Sequence, residues 1–178
     1  AEREAFKQQF PEKQDELIIA KEDLPAPFPR WNHTDFFNQQ LLKKELVNSF
    51  NIDETELPER LLLLVAGEGA AQKAFGYARH FTDVDVLAVE HSLENLAECH
   101  VKAQEEKLNN IAFWPVSLTK RFLQDGNKIH FASISADSSV VDASFISLVQ
   151  NGLGEQGVLN IKLIETPDNA TQDIQSLI

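Results

Sequence analysis

The segment Leu61-Leu62-Leu63-Leu64-Val65-Ala66-Gly67-Glu68-Gly69-Ala70-Ala71-Gln72 constrains the fold more than any other part of the chain. Six consecutive apolar residues, 61–66, end at a pair of glycines, and an alanine-rich amphipathic segment follows at once. A short apolar run without alternation suits a strand covered on both faces, as in a parallel sheet. Gly67 and Gly69 permit a tight strand-to-helix turn and let a ligand approach the backbone closely. The helix then opens with N–H groups directed above the turn. Residues 84–89 read as a second strand, and Glu90 stands at its end, 23 positions after Gly67. Nucleotide-binding folds place an acid there to accept from both ribose hydroxyls.

The remaining chain repeats the strand–helix alternation. Ala70, Ala71, Ala74, Phe75, Ala78 and Phe81 recur at helical spacing, with Gln72, Lys73 and Arg79 off that face. Ser92 is placed to cap a helix over 93–108, and 111–114 read as a third strand stopped by Pro115. A short helix near 118–124, a fourth strand over 129–134, a helix over 139–150 and a fifth strand over 158–164 follow. Gly152 to Gly157 reads as a glycine-rich turn before that last strand. This pattern predicts a doubly wound, mostly parallel Rossmann-like α/β sheet of about five strands in the order 3-2-1-4-5. Residues 58–165 would form that domain, 1–57 an N-terminal helical and extended appendage, and 166–178 a tail. Within the appendage, a loose helix broken at Pro11 precedes the proline-rich stretch Leu24 to Trp31, which enforces an extended path. Thr34 or Asp35 would cap the helix that runs on to Phe50.

Composition narrows the function. A net charge of −12 with no basic stripe argues against nucleic acid as a partner. No apolar run approaches the ~20 residues that span a bilayer, so no membrane partner is expected. The lone Cys99 excludes an internal disulfide and, with no apolar leader after Ala1, points to a cytoplasmic chain. An alanine at position 1 and the lack of any methionine suggest an excised or processed chain. His80, His91, His100 and His130 show no metal-ligand spacing with Cys99, so no metal is expected.

Pro27-Phe28-Pro29-Arg30-Trp31, Gly67-Glu68-Gly69-Ala70-Ala71-Gln72, the strand ending in Glu90, and Asn110-Ile111-Ala112-Phe113 together resemble the class I S-adenosylmethionine-dependent methyltransferases. The likeness is greatest to a bacterial group with a P-Y-P-R-W segment before the domain and G-C-G-T-G-Q as first motif, and it runs from about Pro25 to Ile164. It implies S-adenosylmethionine as cofactor, methyl transfer as activity, and a small-molecule or protein acceptor. It implies that Gly67, Glu68 and Gly69 lie against the methionine part, and that Glu90 accepts from the ribose hydroxyls. It also implies that His91 sits near the adenine face and that Ser117 and Leu118 flank the adenine edge.

The chain departs from the group's pattern at several points. Ala71 stands for the motif's third glycine, Ser117 for the acid that reads the adenine amino group, and Asp137-Ser138-Ser139-Val140-Val141 for a V-L-H-H segment. The C-terminal strands of a seven-stranded methyltransferase sheet do not follow. The resemblance assigns no catalytic residue. Asp137 is the best-placed carboxylate, although capping the next helix is an alternative job, and His33 is a second candidate. Two other functions fit parts of the pattern. A nicotinamide oxidoreductase is disfavoured because Gln72 breaks the G-x-G-x-x-G fingerprint. A non-catalytic methyltransferase-like module with a protein partner is the alternative favoured by the altered motif.

Overall fold

The computed structural model describes residues 2–10, 40–67, 69–90, 92–136 and 141–163. The proline-rich stretch, Thr34, Asp35, His33, Glu68, His91, Asp137 and the expected tail lie outside the described residues. Helix α1 spans Glu2–Lys7 and α2 spans Leu42–Phe50, followed by a 3-10 turn at Glu54–Glu56. Strand β1 is Leu61–Gly67, α3 Ala70–His80, β2 Val84–Glu90, α4 Leu93–Glu105 and β3 Ile111–Pro115. Then come α5 at Val116–Gln124, β4 at Ile129–Ala136, α6 at Ala143–Gly152 and β5 at Leu153–Leu163. The five strands form one parallel sheet in the order β3-β2-β1-β4-β5, as the alternation predicts.

The absence of alternation in β1 follows from its central position. Leu61, Leu63 and Val65 join one core with Ala74, Phe75, Ala78 and Leu96 from α3 and α4. Leu64 and Ala66 point the other way, into a second core with Val116, Leu123, Phe145 and Val149 from α5 and α6. Every β1 side chain except Leu62 is buried, so both faces select apolar residues. Ala70, Ala74 and Ala78 give α3 a slim buried face that lets it lie close against the strands.

Several boundaries differ from the expectations. Strand β4 runs two residues past Ile134, which brings Ser135 into register with Gly67. Helix α5 begins at Val116, directly after Pro115, so Ser117 and Leu118 lie in its first turn. Helix α6 begins at Ala143, and its cap is Asp142, whose Oδ1 accepts from Phe145 N–H at 2.6 Å. The expected glycine-rich turn is strand: Gly152 closes α6, and β5 starts at Leu153 with a bulge opposite residues 129–131. As an edge strand, β5 tolerates a glycine-bearing bulge there.

Helix α2 has no side-chain cap of its own, since Leu41 precedes it. The buried carboxylate of Asp83 accepts from Leu42 N–H at 2.8 Å and Lys43 N–H at 3.0 Å instead. This remote cap ties α2 to the loop before β2. Gln40 reinforces the join, its N–H donating to the His80 carbonyl at 2.8 Å. Helix α1 lies on α4, where buried Phe6 stacks on His100 at 4.6 Å, Arg3 pairs with Glu98 at 2.9 Å and Lys7 pairs with Glu94.

One titratable group sits where the sheet begins. His130 Nδ1 accepts from Leu62 N–H at 2.9 Å, which requires a ring without a proton on that nitrogen. Burial, and then the positive charge of Lys43, hold the His130 pKa below its ordinary value of 6.5. A depressed folded-state value means that the unfolded chain takes up this proton first. Stability is therefore full above about pH 6.5 and is lost as pH falls through the folded value. Urea unfolding between pH 7.5 and 5.5 should show this decline, and His130→Gln, which still offers an acceptor to Leu62, should flatten it. An unchanged slope in that variant would assign the decline to other groups.

Candidate active site at the carboxyl edge of the sheet

In an open α/β sheet, the crevice for ligands lies beyond the carboxyl ends of the strands where the winding reverses. Here the reversal falls between β1 and β4: α3 and α4 pack on one face, and α5 and α6 on the other. Gly67, Gly69, Lys73, Glu90, Ser117 and Ser135 all belong to strand ends or first helical turns at that edge.

The two glycines have different reasons to be glycine. Gly67 has φ +92°, and a Cβ there would overlap the carbonyl oxygen of Ser135 and stand 2.8 Å from its carbonyl carbon. Its bareness therefore serves the contact of β1 with β4, a role that sequence reasoning attributed to ligand approach. Gly69 is the N-cap of α3 at φ +70°, and a Cβ there would meet nothing within 4 Å. Of the pair, only Gly69 leaves open space above the turn. Helix α3 starts with no side-chain cap and no acid in its first turn, so its positive end is not neutralised within the helix.

Glu90 is the last residue of β2, half-buried, and in register with Pro115 at the end of β3. Its negative charge reaches α4. Burial first, and then Glu90, push the Cys99 thiol up to about 12, so Cys99 is protonated and unreactive at neutral pH. Ser92 caps α4 by accepting from Asn95 N–H at 3.2 Å.

Two residues beyond Pro115, the register partner of Glu90, the Ser117 hydroxyl is buried and has no hydrogen-bond partner among the described residues. A buried hydroxyl left unmatched costs about 1–3 kcal/mol, so a partner from a ligand or water is favoured. Neighbouring Thr119, by contrast, satisfies its hydroxyl on the Pro115 carbonyl at 3.2 Å. Leu118 is half-buried and packs against the core on the α3–α4 side.

Two residues at this edge were not singled out from the sequence. Lys73 donates from Nζ to Ser135 Oγ, spanning the ends of β1 and β4. The usable signals were a lysine one turn into the helix after the glycines and a fourth strand long enough to include Ser135. Among the described residues, no cluster of His, Cys, Asp or Glu is arranged to hold a metal ion, and no helix is long and apolar enough to cross a membrane.

No protein-family model matches the chain, and no curated protein sequence matches it either. Solved structures do. The fold resembles that of a coclaurine N-methyltransferase bound to N-methylheliamine and S-adenosylhomocysteine, with a TM-score of 0.53 at 10% identity. That match covers 90% of this chain and 51% of the other. A precorrin-6y C5,15-methyltransferase from Geobacter metallireducens gives a TM-score of 0.49 at 14% identity, over 67% of this chain and 60% of that one. The likeness is one of fold: a parallel, Rossmann-like sheet in the order β3-β2-β1-β4-β5. This chain spans roughly half to three-fifths of the length of these two neighbours.

Proposed function

We propose that the carboxyl-edge crevice binds S-adenosylmethionine and that the chain carries out methyl transfer to a small-molecule or protein acceptor. The reading rests on the methyltransferase fold and above all on the partnerless Ser117 hydroxyl lying one strand-end from Glu90. A buried hydroxyl without a partner is what an adenine edge would need, and Ser117 both donates and accepts. Glu90 accepts from the two ribose hydroxyls, a charge-assisted pair. Gly69, the open half of the glycine pair, faces the methionine part together with Gly67. Glu68, His91 and Leu118 complete the assignment, His91 against the adenine face and Leu118 at its edge.

When bound, S-adenosylmethionine supplies a methyl group already activated by its sulfonium. The protein's own contribution is then alignment and exclusion of water. Ser117 and Glu90 fix the nucleoside, and the α3 amino terminus fixes the far end, so the methyl direction is set by the ligand's own geometry. Residues 58–165 form the methyltransferase domain in this reading, with 1–57 as an appendage, 166–178 as a tail and a cytoplasmic setting.

Thermal unfolding with S-adenosylmethionine, S-adenosylhomocysteine and NAD tests the reading. Either adenosyl sulfur ligand should stabilise the protein by about 2.7 kcal/mol at one hundred times its Kd, with no matching effect of NAD. Stabilisation by NAD alone would indicate a nicotinamide enzyme. No stabilisation by any of the three would favour a protein-binding module.

A further inference from the structure

A second hollow lies away from the crevice, at the opposite end of α3 from Gly69. One face of α2 meets the last turn of α3 and the first half of β4 around a pocket of about 170 Å³. Phe50, Tyr77, Phe81 and Phe131 form its aromatic walls, and the exposed Glu45 stands at its rim. Tyr77 is nearly parallel to Phe81, with 6.0 Å between ring centroids, and close to edge-on to Phe131 at 6.5 Å. The inner rings therefore present aromatic surface in two directions. Phe50 forms the outer wall and is 55% exposed, the most of any large apolar side chain among the described residues. No lysine or arginine lines the pocket among the described residues. The cation–ring contacts described in the protein fall elsewhere, on Phe75, with Arg79 at 5.3 Å and Lys102 at 5.9 Å.

We propose that this aromatic pocket binds the quaternary ammonium group of a small molecule, with Glu45 as the acidic partner at its mouth. The proposal is independent of the adenosyl reading of the crevice. Aromatic faces carry the negative lobe of the ring quadrupole, so a pocket walled by several rings attracts a cation. A primary ammonium is strongly hydrated and resists entry, whereas a trimethylammonium group brings its own apolar surface to the rings. Glu45 also stands 3.8 Å from His80 Nε2, beyond hydrogen-bond range, and a carboxylate has about four acceptor sites, so that contact is compatible with a second cation. The chain's net charge of −12 draws cations toward its surface. Size agrees as well, since a cavity of ~150 Å³ accepts benzene and a trimethylammonium group is no bulkier. The strand that lines the pocket, β4, is interior to the sheet and offers no free edge to a peptide backbone, which favours a small ligand.

Proton NMR titrations with choline and with 3,3-dimethylbutanol test the proposal, because the alcohol keeps choline's shape and replaces the charged nitrogen by carbon. The methyl resonance, which ring currents move upfield inside an aromatic pocket, reports binding of each. Choline should bind at least about tenfold tighter than the alcohol. Glu45→Gln and Phe50→Leu should each weaken choline about threefold or more, through loss of the acidic partner and of one ring face. Both side chains are exposed, so the unfolding midpoints of these variants should match that of the unmodified protein. Glu90→Ala should leave choline affinity unchanged, since Glu90 belongs to the crevice. Equal affinity for choline and the alcohol, or no binding of choline, would overturn the proposal. Unchanged choline affinity in Glu45→Gln or Phe50→Leu, or weakening by Glu90→Ala, would do the same by placing the cation elsewhere. A trimethyl-lysine peptide that bound far tighter than choline would overturn the assignment to a small molecule in favour of a protein partner.

Discussion

Gly67→Ala should cost about 3 kcal/mol or more of folding stability, the largest loss expected from a methyl group added at any of the glycines. Two causes add. The residue sits at φ +92°, where a side chain is strained, and the new Cβ is driven into the Ser135 carbonyl group. Those atoms are backbone in the middle of a sheet, so no side-chain rotation relieves the overlap. Relief requires β1 and β4 to separate at the register pair that closes the sheet's carboxyl edge. Gly69→Ala is the control. It shares the positive φ but has open space beyond, so its cost should stay at about 1–2 kcal/mol. Urea unfolding of the ligand-free proteins checks both. Equal effects of the two substitutions would mean that the strand contact is not what requires Gly67.

Glu90→Ala should leave the fold intact and weaken adenosyl ligands about a hundredfold. The size follows from losing two hydrogen bonds to a charged acceptor, each contributing about 1.5 kcal/mol. The fold should survive because Glu90 is half-buried at the end of β2, outside both apolar cores. One side effect is expected. With a negative neighbour gone, the Cys99 thiol should titrate somewhat lower, although burial, the larger cause, remains. A thiol-reactivity profile against pH therefore reports the Glu90 charge independently of any ligand.

How much of this was legible in the sequence depended on whether the determinant was local. Strand β1, the glycine turn, α3 and β2 follow from runs and spacings within a dozen residues, and the sheet order follows from their alternation. Boundaries failed where a residue's partner lay far along the chain. Thr34 and Asp35, expected as caps by position, lie outside the described residues, and α2 takes its cap from Asp83, some forty residues away. The glycines after α6 looked like a turn because glycine usually breaks a strand, whereas an edge strand with a bulge accommodates them. Polar Ser135 hid the last part of β4, and with it the partner of Lys73. Lys73 read as a solvent-facing residue because its reach across the strand ends is set by tertiary packing. Within the site, Glu90 was chosen by its place at the end of the second strand and Ser117 from the family resemblance, and both lie at the carboxyl edge; Glu68 and His91 lie outside the described residues.

The most direct measurement is a calorimetric titration of S-adenosylhomocysteine into the unmodified protein and the Glu90→Ala variant, side by side. One saturable site per chain in the first, weakened about a hundredfold in the second, is the expected result. No binding to the unmodified protein, or equal affinity in the two, would contradict the placement of an adenosyl ribose against Glu90.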